Sequence, residues 1–130
     1  MSTALLDANV LIALVIAEHE HHDRAAAWLA GVDSFAVCPV VEGALIRMLL
    51  RLGERADTAR AVLEGVRAHP RCAFLADDLS YAQVSFEGLT GHRQVTDAYL
   101  ADLAAAHGAV LATFDRALST LRPDRVALIP

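Results

Sequence analysis

Four short stretches built almost wholly of apolar residues recur along this chain: Ala4-Leu5-Leu6, Phe35-Ala36-Val37, Ala73-Phe74-Leu75 and Ala109-Val110-Leu111-Ala112. Between them lie segments whose apolar residues fall at helical spacing. A strand without a polar side must be covered on both faces, and the intervening helices supply that cover. The expected fold is therefore α/β, a three-layer α/β/α arrangement with a central, mostly parallel sheet flanked by helices. A fifth strand is expected near Val126-Ala127-Leu128-Ile129.

The helices are bounded by recognisable signals. The run Val10 to Ile16 is apolar all round, as in a helix buried on several sides, though periodicity alone does not separate it from a second strand; Asp23 to Ala30 is amphipathic and closed by Gly31. Pro39 suits a first helical turn, and the pattern Val41, Leu45, Met48, Leu49, Leu52 carries that helix to Gly53. Arg55 to Ala68 is helical until Pro70. Ser80 to Phe86 reads as a short helix and Gly88 to Gln94 as a loop. Thr96 reads as the cap of a helix reaching His107, and a turn surrounds Asp115.

With 130 residues, 55% hydrophobic and 21% charged, the chain makes one domain, residues 1–130, with a core large enough to fold without staples. Its longest apolar run, Val10 to Ala17, is too short to span a bilayer, and the first residues lack the positive region of a signal peptide. A cytoplasmic protein is expected, with no membrane partner. Cys38 and Cys72 lack metal or disulfide spacing and read as buried thiols. The net charge is −5 and all eleven basic residues are Arg. A polyanionic substrate would need a local Arg surface or bound cations.

In open parallel sheets ligands bind beyond the carboxyl ends of the strands. Asp7 directly follows the first strand, and Asp115 follows Leu111-Ala112-Thr113-Phe114. Each also suits a helix N-cap. Asn9 and Thr113 add side-chain oxygens nearby. Glu42 shares a helix stripe with Leu45, Ile46 and Leu49, where a carboxylate is costly unless something pairs with it. Asp97 likewise shares the stripe of Leu100, Ala101 and Ala104, whereas Asp102 projects to the other side and reads as a solvated charge. Asp77-Asp78 reads as a turn or cap pair.

Asp7, Glu42, Asp97 and Asp115, brought together, would repel one another unless a cation held them. Oxygen ligands without His or Cys favour Mg2+ or Mn2+. Such a site suits phosphoryl transfer to water.

Leu5-Leu6-Asp7-Ala8-Asn9-Val10-Leu11-Ile12, Cys38-Pro39-Val40-Val41-Glu42-Gly43, Val95-Thr96-Asp97-Ala98-Tyr99-Leu100-Ala101 and Ala106-His107-Gly108 through Thr113-Phe114-Asp115 together resemble the PIN-domain ribonucleases, specifically VapC-type toxins of toxin–antitoxin pairs. The resemblance spans essentially the whole chain. It implies a PIN-like fold, with Asp7, Glu42, Asp97 and Asp115 as catalytic, metal-binding acids and Asn9, Thr113 and Thr96 in support. It further implies a Mg2+- or Mn2+-dependent endoribonuclease that cleaves structured RNA, a tRNA or rRNA, by metal-activated water.

The implied partners are a cognate antitoxin that places a basic tail residue in the acidic pocket, and a second copy of the chain or a toxin–antitoxin hetero-oligomer. Many relatives carry a further acid after the Asp115 position, where Arg116-Ala117-Leu118 stand here, which weakens the case for a second metal. Two other functions compete: a metal-dependent phosphatase using Asp7 as nucleophile, and a catalytically silent PIN-like binding module. The phosphatase reading wants a second Asp where Asn9 stands, and a Lys the chain lacks.

Other polar and aromatic residues read as structural. His19, His21 and His22 fall in a polar connection between helices, and Arg47 with Arg51 reads as a surface face. His92 and Arg93 lie in the loop before Asp97, in reach of RNA, and His107 suits a helix C-terminus. Trp28, Phe86 and Tyr99 read as packing residues, with no aromatic strip for stacking bases.

Overall fold

The computed structural model describes residues 2–130. Strand β1 (Thr3–Leu6) leads into α1 (Ala8–Val15) and α2 (His22–Ala30), then β2 (Ser34–Val37), α3 (Pro39–Arg51) and α4 (Ala56–Arg67). Strand β3 (Cys72–Phe74) follows, then short 3-10 turns at Tyr81–Gln83 and His92–Gln94, α5 (Val95–Ala106), β4 (Val110–Thr113), α6 (Arg116–Leu121) and β5 (Val126–Leu128).

The five strands form one sheet in the order β3-β2-β1-β4-β5, every neighbour parallel. Strand β1 is central, with Leu5 opposite Ala36 of β2 on one side and Leu111 of β4 on the other. The chain works outward from β1 to β3, then returns to start β4 on the opposite flank of β1. The carboxyl ends of β1 and β4 therefore border the crevice where strand order reverses, the place where α/β sheets bind ligands. The core is aliphatic, with Leu5, Leu6, Leu11, Leu45, Leu100, Leu103, Leu111 and Ile129 fully buried.

Several sequence expectations change. Ser80–Phe86 forms only the 3-10 turn Tyr81–Gln83, and the Gly88–Gln94 loop contains a second. Thr96 is not a cap. Helix α5 starts at Val95 as a continuation of the preceding 3-10 turn, and Gln94 Oε1 accepts from the N–H groups of Thr90 and Gly91 at 2.7 and 3.1 Å. The turn at Asp115 opens into α6, which no apolar periodicity announces over so few residues. Cys38 is buried, and burial pushes its thiol up to about 11, but Cys72 is only half-buried on the edge strand β3. Phe86 is exposed, whereas Tyr99 is buried and stacks on Tyr81 with ring centroids 4.6 Å apart.

Asp102 is the largest correction. Helix α5 is buried continuously from Ala98 through Ala104, so its face opposite Leu100 is not a solvent face. Asp102 is 6% exposed and held by charge and geometry: Arg125 pairs with one oxygen, and the Ser85 N–H donates to the other at 2.7 Å. A carboxylate removed from water needs such partners. Asp102→Ala is expected to cost about 1–3 kcal/mol of unfolding free energy by leaving the Ser85 N–H and Arg125 without it. Denaturant melts check this, since a solvated Asp102 would change stability by less than about 0.5 kcal/mol.

Candidate active site

Asp7 ends β1 and begins α1. Its N–H donates to Ala112 O of β4 at 3.0 Å, its Oδ1 accepts from Ala8 N at 2.7 Å, and its Oδ2 accepts from Thr113 Oγ1 at 2.7 Å. The side chain is thus both the N-cap of α1 and a bridge between the two central strands. Only 7% exposed, it is pushed above the usual carboxylate range by burial, opposed by its Thr113 and Ala8 hydrogen bonds and reinforced by the charge of Asp115.

Thr113, itself buried, uses the same hydroxyl oxygen to accept from Asp115 N at 3.1 Å. Asp115 Oδ1 accepts from Leu118 N at 3.1 Å and caps α6. Both Asp7 and Asp115 are therefore N-caps and still face one cavity: capping uses one side of each carboxylate.

That cavity, about 460 Å3, is lined by Asp7, Asn9, Asp97, Thr113, Phe114 and Asp115 from the sheet side and by His19, Glu20 and His21 from the α1–α2 connection. Asp97, in the first turn of α5, has its pKa raised from 3.8 to about 6 by burial first and then by the charges of Asp7 and Asp115. The carboxylates crowd one another, and among the described residues no Arg lines the cavity.

The structure brings together Asp7, Asp97 and Asp115, with Asn9 and Thr113 beside them. It does not bring Glu42. That side chain, 14% exposed, pairs with Arg67 of α4 at 3.4 Å, and both line a separate depression with Arg60, Leu63 and Glu64. The stripe Glu42 shares with Leu45 runs along the border between α3 and α4, and the partner that makes its burial tolerable lies 25 residues on in sequence. Thr96 is exposed and lines nothing here; Arg47, His92 and Arg93 are exposed and absent from the cavity wall.

His19 and His21, by contrast, are in it: the connection between α1 and α2 is the polar turn expected, and it also lines the cavity. His21 lies against Phe114, with centroids 4.9 Å apart. The only sequence signal for this is proximity to the helix that Asp7 caps. His22 points elsewhere, with Nδ1 2.8 Å from Ala13 O. His107 caps the end of α5 and bonds Asp78 at 2.9 Å.

Divalent-metal binding can be judged from the donors. The wall carries four carboxylates, an amide oxygen and two imidazoles, with no Arg among its described residues; its oxygen-rich side, Asp7, Asp97 and Asp115 with Asn9, is the donor set of a hard cation. As the side chains stand, no three His, Cys, Asp or Glu groups among the described residues close around a common point, so a shared ion requires at least one carboxylate to swing inward. The donor chemistry fits Mg2+ or Mn2+, held by Asp7, Asp97 and Asp115.

Comparison with known proteins gives the same answer for the class. Residues 4–122 match the PIN domain family. Ribonuclease VapC29 of Mycobacterium tuberculosis is 54% identical over 129 residues, covering 98% of this chain and 97% of that one. Ribonuclease VapC38 of the same organism is 38% identical, covering 94% and 92%. The fold is similar to the crystal structure of VapBC2 from Rickettsia felis bound to a DNA fragment from their promoter, with a TM-score of 0.70, 14% identity and coverage of 98% and 99%. The chain belongs to the PIN domain family, within its VapC-type branch. It is a nuclease, a hydrolase. Among the described residues no helix is long and apolar enough to cross a membrane.

The raised pKa of Asp97 fixes a sign. Between pH 3.8 and about 6 the folded chain holds a proton that the unfolded chain has released, so stability falls as pH rises through that window. Thermal melts without metal are expected to show this slope, and Asp97→Asn to flatten it while raising stability at neutral pH. An unchanged slope in that variant would mean that neither burial nor its neighbours raise the Asp97 pKa.

Proposed function

We propose that the chain is the toxin of a toxin–antitoxin pair, an endoribonuclease that hydrolyses RNA phosphodiester bonds at the cavity of Asp7, Asp97 and Asp115 with Mg2+ or Mn2+. The observation that carries this reading is the convergence of Asp7, Asp97 and Asp115, with Glu20 across the cavity and no Arg among the described lining residues, at the crevice beside β1 and β4. The names of its relatives support RNA as the substrate.

When bound, the cation supplies the positive charge the wall lacks and lowers the pKa of the attacking water. The chain's own residues hold that arrangement. Thr113 locks the Asp7 carboxylate between β1 and β4, the α6 cap fixes Asp115, and Asn9 adds a neutral oxygen on the first turn of α1. A folded RNA with an exposed loop, such as a tRNA or rRNA hairpin, suits an acidic pocket of this kind better than an unstructured strand.

The proposed partner is an antitoxin that places an Arg or Lys among these carboxylates, where it competes with the metal. Similarity in fold to the VapBC2 structure supports such a partner. Leu50 and Leu52, exposed at the end of α3, offer apolar surface for that partner or for a second copy of the chain.

Single Asp7→Asn, Asp97→Asn and Asp115→Asn changes are expected to slow RNA cleavage by about 10²-fold or more. Glu42→Gln, outside the cavity, should leave the rate close to that of the wild type. Products of the wild type should carry 5′-phosphate and 3′-hydroxyl ends, and chelation should abolish cleavage. Cyclic-phosphate ends that persist with a chelator would overturn the metal-activated route and assign the reaction to His19 and His21, the imidazoles in the wall. Hydrolysis of a phosphomonoester dye with no cleavage of RNA would favour a phosphatase.

A further inference from the structure

Opposite the carboxylates, the α1–α2 connection, Glu18-His19-Glu20-His21, places two imidazoles in the cavity wall that metal-assisted hydrolysis does not use. The His19 and His21 rings are 5.7 Å apart and tilted by 46°, and His21 stands 4.9 Å from Phe114, tilted by 39°. The Arg24 guanidinium lies over the Phe114 ring, 4.7 Å from its centroid, and also reaches His21. Three rings thus follow one another along the rim, with a planar cation against two of them.

These groups are held rather than free. The His21 N–H donates to His19 Nδ1 at 3.0 Å, so neutral His19 carries its proton on Nε2. Arg24 reaches His21 Nδ1 at 3.3 Å while its Nη2 donates to Ile129 O at 2.8 Å, and Glu20 lies 3.5 Å from His21 Nε2. Phe114 is placed by the chain itself, between Thr113, which holds Asp7, and Asp115. His19, His21 and Phe114 are all only partly buried, and Phe114 also packs against the core.

Resting on the ribonuclease reading, we infer that His19, His21 and Phe114 form a stacking wall for a nucleobase adjoining the scissile phosphate in an unpaired loop of the RNA. The cavity wall does not attract a polyanion by charge, because its described side chains are acidic, neutral or imidazole. Base stacking is independent of that charge, and ring faces accept any base. A strand whose phosphate lies at Asp7, Asp97 and Asp115 has these rings in the wall of the same cavity. His21 is the centre of the wall, touching both other rings.

The test uses a short RNA that the wild-type chain cleaves, with 2-aminopurine beside the cleaved bond, and the Asp97→Asn chain to permit binding with little cutting. Binding should quench the fluorescence. In that background His21→Ala should weaken binding about 5- to 150-fold, the span of base–aromatic stacking, and Phe114→Ala should act similarly. His21→Phe should bind about as tightly as the parent. An abasic nucleotide in place of the 2-aminopurine should weaken binding to the parent but cost nothing further in the His21→Ala chain. With Asp97 intact, His21→Ala should raise KM and leave kcat nearly unchanged.

Loss of binding in His21→Phe equal to that in His21→Ala, or an abasic site without effect on the parent, overturns the wall. If RNA is cleaved with unaltered KM by folded His21→Ala and Phe114→Ala chains, the wall alone fails. If the wild type cleaves no RNA, the ribonuclease reading fails and takes the wall with it.

Discussion

The hydrogen bond from Thr113 to Asp7 is the joint on which the site depends. It ties the residue that caps α1 to the last residue of β4 across the centre of the sheet, and Asp7 N–H to Ala112 O repeats the tie through the backbone. Asp7 is nearly excluded from water, which disfavours its charged form, and donors from Thr113 and Ala8 offset part of that cost. The same Thr113 oxygen orients Asp115. One buried hydroxyl therefore sets the relative positions of two acids carried by different strands.

Electrostatics then separates the acidic residues into two kinds. Glu42 and Asp102 are drawn out of water together with an Arg, and each is satisfied within the fold. Asp7, Asp97 and Asp115 are drawn together without one, and Asp97 is raised to about 6 by burial first and then by the charges of the other two. A fold gains nothing in stability from such crowding. The proposed cation would relieve that crowding.

The order of elements and the parallel sheet are legible in the sequence because short apolar strands and helical periodicity are local signals. Asp7 and Asp115 are legible because their positions follow directly from strand ends. Glu42 falls outside the cavity although its stripe correctly marks burial, since the identity of the paired group, Arg67, belongs to another helix. Asp102 departs from expectation for the related reason that amphipathic patterning assumes one wet face, and α5 has none over its middle turns. The positions of His19 and His21 are invisible to periodicity, since a loop's path over a neighbouring strand is a tertiary property. A stacking strip is equally hard to see in the sequence, because two of its three rings are imidazoles and the third lies far along the chain.

The central claim is that Asp7, Asp97 and Asp115 share a divalent cation and Glu42 does not. Anomalous diffraction at the manganese edge from crystals grown with Mn2+ tests it without reference to activity. The account requires a peak within coordination distance of the three aspartates, lost in Asp97→Asn crystals. No peak there, or a peak held by Glu42 or by the imidazoles of His19 and His21 in its place, would contradict it.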